Sequence, residues 1–231
     1  MNTITKVIIP AYNEEKSIAK VIQDLPSTVD EIVVVSNNSS DETVGVAKKA
    51  GATVLTEKRR GYGYACLKGI SYIKSQSIKP DIIVFLDGDY SDYPNELNKL
   101  IAPIINEHLD FVVGARSKKL REKGSMTIPQ IFGNWLATSL MAFFFNSKFT
   151  DLGPFRAIKY NKLIDLNMKD KTYGWTVEMQ LKALKRNYLY KEIHVKYRNR
   201  IGVSKVSGTL KGSIFAGIKI LYWIVKYSFI K

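Results

Sequence analysis

The chain has 231 residues with 45% hydrophobic and 24% charged side chains, values typical of a globular protein, which exclude a disordered, collagen-like or coiled-coil chain. Its single cysteine, Cys66, excludes an internal disulfide and indicates a reducing compartment. The formal net charge is +14, and it divides into −3 on residues 1–115 (12 basic, 15 acidic) and +17 on residues 116–231 (23 basic, 6 acidic), so an anionic partner is expected on the second half. The start of the sequence has no signal-peptide pattern and is predicted to be part of the fold.

The first half of the sequence alternates strand patterns with helix patterns. Runs of β-branched and apolar residues predict strands at 5–9, 31–35, 52–56, 82–86 and 110–115. Apolar residues at helical spacing predict the intervening helices, at 14–25 with Asn13 as a cap, from Ser39 or Ser40 to Ala50, at 61–75 and at 94–107. This alternation predicts an α/β fold with a mostly parallel sheet flanked by helices, in which ligands bind beyond the carboxyl ends of the strands.

The pattern changes after Arg116, where a basic, glycine-containing segment is predicted to be an exposed loop. The elements predicted beyond it are a helix at 128–145, a strand at 150–158, a helix at 176–186, a strand at 188–197 and a helix at 210–230. We therefore expect one main domain over residues 1–209, followed by a C-terminal amphipathic helix over residues 210–231.

The predicted helices 128–145 and 210–230 are long and largely apolar. Neither is predicted to span a membrane, because the apolar run 135–145 is short and the lysines Lys219 and Lys226 interrupt the second helix. Two alternatives remain for each helix. Its apolar face packs on the sheet, or it lies on an anionic membrane surface with its lysines at the headgroups. The pattern alone favours packing on the sheet.

Two carboxylates directly follow the predicted strand 82–86, in the sequence Asp87-Gly88-Asp89. Because like charges held close together need a counter-charge, this pair is suited to a hard divalent cation, with Asp92 as an additional carboxylate nearby. Such a cation bridges a nucleotide diphosphate and stabilises it as a leaving group. A solvated Asp-Gly turn is the alternative interpretation.

Polar loops also follow the first three predicted strands, at 10–15, 36–41 and 58–65. The groups that they offer to the nucleoside and phosphates of a nucleotide belong to Pro10, Tyr12, Glu14, Asn37, Arg60 and Gly61. Capping and turn formation alone are the alternative for each loop. No Gly-x-Gly-x-x-Gly follows the first strand, which argues against an NAD-dependent dehydrogenase.

The basic second half supplies side chains suited to phosphate, because the planar fork of arginine matches phosphate oxygens. They come from separate segments and are Arg116, Arg156, Arg198, Arg200 and Lys205. The second half has too few acidic residues to pair with all of its basic ones. A solubilising surface charge is the alternative.

Together these motifs resemble family 2 glycosyltransferases with the GT-A fold, within the branch that contains dolichol-phosphate mannose synthase. The matching segments are VIIPAYNEE, VVVSNNSSDET, RRGYGYA, FLDGDYSDYPNEL, TDLGPFRAI, YGWTVEMQLKA and YRNRIGVSKVSGT. The resemblance extends over about residues 5–212, with the motifs in the family's order. One segment departs from it. Where the family usually has Asp-Asp-Gly-Ser, this chain has Ser36-Asn37-Asn38-Ser39, so the acids that contact the base or ribose are missing.

The resemblance implies that residues 1–209 form the catalytic domain. It implies that Asp87 and Asp89 hold Mg²⁺ or Mn²⁺ on the sugar nucleotide, so that Asp89 also counts as a catalytic residue. The PAYNE loop is implied to contact the nucleoside. Asn37 remains able to hydrogen-bond a base, although its neighbour Ser36 does not replace the charge of a carboxylate.

The resemblance also implies that Glu178 is a catalytic residue opposite the donor sugar. In members that act on hydroxyl acceptors this residue is the general base, whereas an anionic phosphate acceptor needs no base. Without the resemblance, an exposed helix glutamate paired with Lys182 is the simpler interpretation. Arg200 and Lys205 are implied to hold an acceptor phosphate.

The resulting hypothesis is a metal-dependent, inverting transfer of a hexose from a UDP- or GDP-sugar to a polyprenyl phosphate, dolichyl or undecaprenyl. The protein would be cytoplasmic and peripheral on the cytoplasmic face of the membrane, held there by its basic half at the anionic surface. The alternative within the family is transfer to a saccharide hydroxyl in cell-surface polysaccharide synthesis. A nucleic-acid partner is not expected, because the sequence has no helix-turn-helix, zinc or RNA-binding-sheet pattern.

Overall fold

A computed structural model describes residues 3–202 and 210–229 of the chain. The strands of this part form one sheet and are β1 (Thr5–Ala11), β2 (Glu31–Ser36), β3 (Thr53–Thr56), β4 (Ile82–Phe85), β5 (Phe111–Ala115), β6 (Arg156–Lys159) and β7 (Tyr190–His194). Their order across the sheet is β3-β2-β1-β4-β6-β5-β7. Neighbouring strands are parallel except at β6, which is antiparallel to β4 and β5. The predicted mostly parallel sheet is confirmed.

The sheet is buried on both faces by helices. Within the described residues these are α1 (Ile18–Gln23), α2 (Thr43–Lys49), α3 (Tyr62–Ser75), α4 (Leu97–Asn106), α5 (Ile128–Phe145), α6 (Tyr160–Leu166), α7 (Trp175–Lys185) and α8 (Leu210–Phe229). Alternate residues of β1 enter different hydrophobic clusters. Ile8 belongs to the cluster with residues of α3, α5, α6, α7 and α8, and Val7 belongs to the cluster with residues of α1, α2 and α4. Helices therefore cover both faces, and the carboxyl ends of β1, β2 and β4 carry the loops that form the site.

Two local predictions are wrong, and one helix was missed. The segment 150–155 is not a strand, because its backbone N–H groups are bound by side chains: Thr150 and Asp151 donate to Glu192, and Leu152 donates to Asn134. Helix α6 was not predicted, since a helix of seven residues carries only a weak periodic signal. Asn13 does not cap α1, which begins after Ser17.

Asn13 instead joins two loops at the ligand-binding edge of the sheet. It adopts a left-handed backbone with φ 55°, and its side-chain oxygen accepts a hydrogen bond of 2.8 Å from the backbone of Ser40. Ser40 is therefore not the cap of α2, and neither is Ser39, whose hydroxyl accepts from the backbone of Asn13. The two serines hold the loop after β2 against the loop after β1.

The predicted packing of α5 and α8 on the sheet through their apolar stripes is also wrong. Most residues of the predicted stripes are exposed to between 49% and 83%: Ile128, Phe132, Trp135 and Phe143 on α5, and Ile214, Phe215, Ile218, Tyr222 and Val225 on α8. Leu136, Leu140 and Leu221 of these stripes are half-buried. The buried positions are the smaller Ala137, Thr138 and Met141 of α5, and Trp223 and Ile224 of α8. Both helices are apolar around most of their circumference, so the stripe of the largest residues did not identify the buried side. By length and composition alone, α5 is sufficient to cross a membrane.

Candidate active site

A cavity of about 590 Å³ opens at the carboxyl ends of β1, β2 and β4, a volume suited to a ligand of nucleotide-sugar size. The predicted site residues that line it are Pro10, Tyr12, Glu14, Asn37, Arg60, Gly61, Asp87, Asp89, Arg116 and Arg200. The loops after β1, β2, β3 and β4 thus meet at one place, as the order of parallel strands predicts. Lys205 lies outside the described residues.

The Asp87-Gly88-Asp89 turn puts two carboxylates at the floor of this cavity. Oδ1 of Asp87 is buried without a hydrogen-bond partner, and burial, together with the charge of Asp89, raises the pKa of Asp87 to about 6. Asp89 is better satisfied. Its Oδ1 accepts from the backbone (2.9 Å) and hydroxyl (2.5 Å) of Ser91, and its Oδ2 is 2.7 Å from Nη2 of Arg200.

This donor set fits a hard divalent cation, because a buried carboxylate oxygen without a partner lies beside a second carboxylate. Among the described residues no cluster of three or more His, Cys, Asp or Glu side chains forms a metal site by itself. The protein therefore offers two carboxylates, Asp87 and Asp89. The remaining ligands would come from water and phosphate oxygens, which is how Mg²⁺ is usually held.

Asn37 lines the cavity, but its side chain is committed to the loop between β3 and α3. Its amide nitrogen donates to the carbonyl oxygens of Glu57 (3.3 Å) and Arg59 (2.7 Å), and its amide oxygen accepts from the backbone of Gly61 (2.8 Å). Both amide hydrogens are thus used within the protein, and only a lone pair on the oxygen remains for a nucleoside. Asn37, which replaces the acidic residue of the family, therefore stabilises the loop between β3 and α3.

We expect Asn37→Asp, which introduces the family's acidic type, to destabilise the protein by about 1–3 kcal/mol. A carboxylate donates no hydrogen, so it would face the carbonyl oxygens of Glu57 and Arg59 without a bond. The measurement is urea unfolding, with Asn38→Asp as the control, because Asn38 is exposed and receives the same charge change. Equal stability of the two variants would contradict the assigned contacts.

The glycines of the β3–α3 turn allow close approach by the protein's own backbone. A Cβ atom at Gly61 or Gly63 would collide with the carbonyl groups of Lys171 and Asp170, respectively. The backbone of Tyr64 also donates to the carbonyl oxygen of Lys171 at 3.1 Å. Gly61 lines the cavity as predicted, whereas the packing of segment 170–171 against this turn was not predicted.

Among the described residues, three arginines line the cavity, and their side chains are held to different extents. Arg116 is fixed by a bidentate ion pair with Asp151, with distances of 2.8 Å (Nε–Oδ2) and 2.6 Å (Nη2–Oδ1). Burial raises the pKa of Asp151, but the charge and hydrogen bonds of Arg116 outweigh it and leave the pKa lowered. Arg60 is exposed, with its guanidinium 5.5 Å from the ring centre of Tyr12. Arg200 pairs with Asp89 as described.

The prediction that Arg156 contacts substrate is wrong. Its side chain is fully buried and does not line the cavity, because its guanidinium donates to the carbonyl oxygens of Leu152, Gly153 and Thr176. Burial lowers the pKa of this guanidinium to about 10. Since Leu152 belongs to the cavity wall, Arg156 holds that wall from behind.

The position of Glu178 does not suit a general base. It is fully buried on α7, outside the lining of the cavity, and pairs with Nζ of Lys182 at 2.6 Å. Its carboxylate also accepts from the backbone N–H groups of Lys169 (3.0 Å) and Asp170 (2.7 Å). The simpler interpretation was correct about the partner Lys182 and wrong about exposure. Glu178 fixes the segment that packs on the Gly61–Gly63 turn.

Two residues have a positioning role: Asp170, which sequence reasoning missed, and Arg198, which it counted among the side chains suited to phosphate and which does not line the cavity. Asp170 accepts a hydrogen bond of 2.6 Å from the indole nitrogen of Trp223 and lies 3.5 Å from Nζ of Lys219, so it ties α8 to the segment that precedes α7. Arg198 stacks on Tyr90, with 3.4 Å between the guanidinium carbon and the ring centre, and donates to two carbonyl groups after Asp89. These contacts join residues 53 and 108 positions apart, and no local pattern signals them.

The cavity also has an apolar arm that was not predicted. It runs between α5 and α8, where small residues leave space, and its lining includes Gly133, Ala137, Ala216, Gly217, Ile220 and Leu221. The arm connects the carboxylate pair to the two helices whose large apolar residues are exposed.

Known proteins resemble this chain in sequence. The family model described as glycosyl transferase family 2 matches residues 6–172. A glycosyltransferase of Mycobacterium tuberculosis described as uncharacterized is 32% identical over 218 residues, which are 91% of this chain and 93% of that protein. The dolichyl-phosphate hexose transferase of Haloferax volcanii is 30% identical over 207 residues, which are 87% of this chain and 85% of that protein.

A solved structure has the same fold. Glucosyl-3-phosphoglycerate synthase from Mycobacterium tuberculosis, crystallised in complex with Mn²⁺, UDP and phosphoglyceric acid, superposes with a TM-score of 0.78 at 20% identity, covering 99% of this chain and 80% of that chain. The expected GT-A fold is confirmed. With the family model matching well over half of the residues, the chain belongs to glycosyltransferase family 2 and is a glycosyltransferase.

Proposed function

We propose that this enzyme transfers a hexose from a UDP- or GDP-sugar to a polyprenyl phosphate, with inversion at the sugar carbon C1. The observation that carries the proposal is the continuity of the cavity, which extends from the Asp87 and Asp89 carboxylates to the apolar arm between α5 and α8. A lipid-linked acceptor has the two chemical ends that such a cavity matches. The dolichyl-phosphate hexose transferase among the relatives supports this acceptor class.

The distribution of acids supports an acceptor that is already anionic. Within the described residues, the acidic side chains lining the cavity are Glu14, Asp87 and Asp89, and all three lie near Arg200 at the donor end. A hydroxyl acceptor requires a base to take its proton, whereas a phosphate oxygen does not. The burial of Glu178 therefore speaks against the alternative of a saccharide hydroxyl acceptor.

In the proposed reaction, the loops after β1 and β2 bind the nucleoside, Arg60 faces the diphosphate of the donor, and Arg200 faces the phosphate of the acceptor. Asp87 and Asp89 would hold Mg²⁺ or Mn²⁺, and the bound cation would stabilise the departing diphosphate. The acceptor oxygen attacks C1 from the face opposite the diphosphate, so that a new C1–O bond forms as the bond to the diphosphate breaks. Arg116, fixed by Asp151, supplies a preorganised positive charge at the cavity wall.

The test is transfer of label from UDP- and GDP-hexoses, with Mn²⁺ present, to polyprenyl phosphate in vesicles. Parallel reactions contain polyprenol without phosphate, a free saccharide or 3-phosphoglycerate. We expect labelled product only with polyprenyl phosphate, recovered in the organic phase. Label on the saccharide would favour the alternative acceptor, and label on phosphoglycerate would point to a soluble phosphorylated acceptor.

We further propose that residues 1–209 form the main domain and residues 210–231 the C-terminal amphipathic helix. Helices α5 and α8 would lie on the cytoplasmic face of an anionic membrane. Their exposed aromatic and aliphatic residues suit the interface, and the exposed lysines Lys118, Lys119 and Lys123 lie in the loop that leads into α5. α8 would act as part of the catalytic domain's surface, since Trp223 anchors it to Asp170.

We expect the double variant Trp135→Ser/Phe143→Ser to reduce binding to anionic vesicles by at least about a hundredfold, since burying each side chain contributes about 1.5–3 kcal/mol. Both residues are exposed, at 59% and 81%, so the fold should be retained. Cosedimentation measures the partition coefficient. The control is Ile78→Ser, which removes an apolar side chain 68% exposed at the opposite edge of the sheet. Equal vesicle binding by wild type and double variant would contradict membrane contact through α5.

A further inference from the structure

Arg200 occupies the position at which a cation would meet Asp89. Its Nη2 lies 2.7 Å from Oδ2 of Asp89 and 3.6 Å from Oε1 of Glu14, and its side chain lines the cavity with 30% exposure. The Nε atom of Arg200 is buried and has no hydrogen-bond partner. The guanidinium is therefore held through its Nη2 atom, by a charge-assisted contact with the carboxylate oxygen that a divalent cation also needs.

The backbone around Arg200 is fixed, while its side chain is long and only partly buried. On one side, Arg198 is stacked on Tyr90, and its backbone N–H donates to the carbonyl oxygen of Ser91 at 2.9 Å. On the other side, the N–H of Ile201 donates to the carbonyl oxygen of Asp89 at 3.0 Å. A change of partner would thus involve rotation of one side chain and no movement of the segment.

We propose that Arg200 is an internal counter-ion of Asp89, which divalent-metal binding displaces toward the anionic oxygens of a bound phosphate. Two cations on one carboxylate oxygen repel each other, so the metal and the guanidinium compete for Asp89. The displaced planar fork then has phosphate oxygens as its partners within the same cavity. Arg116 is unsuited to this exchange, because Asp151 binds it bidentately. The inference rests on the proposed metal site.

This exchange couples metal loading to phosphate binding. Metal binding releases the guanidinium of Arg200, which then binds phosphate, so metal increases the affinity for phosphate. By linkage, a bound phosphate increases the affinity for metal by the same factor. If the ion pair between Arg200 and Asp89 were purely structural, the opposite result would be expected. Its loss would then disorder the site and weaken the binding of both the metal and the phosphate.

The test is Mn²⁺ binding to the full-length protein without nucleotide, measured by the electron paramagnetic resonance signal of free Mn²⁺. We expect Arg200→Met to bind Mn²⁺ about tenfold more tightly than wild type, because a charge-assisted hydrogen bond no longer competes. In the same variant, the KM for polyprenyl phosphate should rise at least tenfold. Arg60→Met is the matched control. It removes the same charge from the cavity wall, and its described contact is with Tyr12.

Unchanged or weaker Mn²⁺ binding by Arg200→Met, in a variant whose thermal unfolding matches wild type, would overturn the exchange. An equal gain in the Arg60→Met control would also overturn it, since the effect would then be general electrostatics. If neither wild type nor Arg200→Met binds Mn²⁺, even with UDP present, the metal site of the proposed function is wrong and the exchange fails with it. If wild type binds Mn²⁺ tightly and Arg200→Met binds it no more tightly, the exchange is wrong while the metal site of the proposed function stands.

Discussion

Asp89→Asn is expected to lower the rate of sugar transfer at least about a thousandfold, because a metal ion that stabilises the leaving diphosphate contributes several kcal/mol and each 1.36 kcal/mol is a factor of ten. The amide keeps the size of the side chain and an oxygen for the Ser91 donors. It removes the charge that holds the metal and turns an N–H₂ group toward Arg200. Initial rates at saturating Mn²⁺ and a range of sugar-nucleotide concentrations measure the loss.

The matched control for this change is Asp81→Asn. Asp81 precedes β4, the strand that Asp87 and Asp89 follow, and it accepts a hydrogen bond from the backbone of Ile4 at the opposite edge of the sheet. Its variant should retain nearly full activity. If Asp89→Asn also retained activity within tenfold of wild type, the proposed role of this carboxylate in catalysis would be wrong, whatever the effect of the change on stability.

The donor half of the site was predictable because it is local in the sequence. Each candidate loop directly follows a strand, and the carboxyl ends of parallel strands necessarily meet at one edge of a sheet. Strand prediction alone therefore put Pro10, Asn37, Gly61 and Asp87 together, and the cavity contains all four. The roles of individual side chains were less accessible. Asn37 is suited to a base by type, yet the carbonyl groups of Glu57 and Arg59 take both of its amide hydrogens.

The acceptor half was not predictable, because it depends on contacts between distant segments. Arg156 and Glu178 have the residue types of a binding site, but burial and partners such as Lys182 make them supports. The exposed side of α5 and α8 is decided by which of their residues contact the rest of the domain, among them Ala137 of α5 and Trp223 of α8. Periodicity finds the stripe of large side chains and does not tell whether the domain or the surroundings cover it.

The two halves are joined by one short segment, residues 169–174. Its carbonyl groups press on Gly61 and Gly63 at the donor side, and its Asp170 side chain holds Trp223 of α8 at the acceptor side. Glu178 anchors the segment by accepting from two of its backbone N–H groups. The geometry of the whole cavity therefore depends on Glu178, although this residue does not line it.

This dependence yields the second large expected effect, in which Glu178→Gln destabilises the protein by about 3–5 kcal/mol. The change leaves Lys182, only 5% exposed, without its carboxylate, and a buried uncompensated charge is strongly unfavourable. Burial already lowers the pKa of Lys182 against the opposing effect of Glu178, so the variant should lower it further. Urea unfolding at several pH values measures the free energy of unfolding.

The pH dependence of that loss has a definite sign. A lysine whose folded pKa lies below its unfolded value of about 10.4 binds more protons in the unfolded state, so stability rises with pH across that interval. The deficit of Glu178→Gln should therefore be full below the folded pKa of Lys182 and shrink as the pH approaches 10. The double variant Glu178→Gln/Lys182→Met should recover much of the lost stability at neutral pH.

A general base would behave differently, since its removal lowers kcat by about 10²–10⁴ without a stability change. Unchanged unfolding together with such a loss of kcat would return Glu178 to a catalytic role and favour a hydroxyl acceptor.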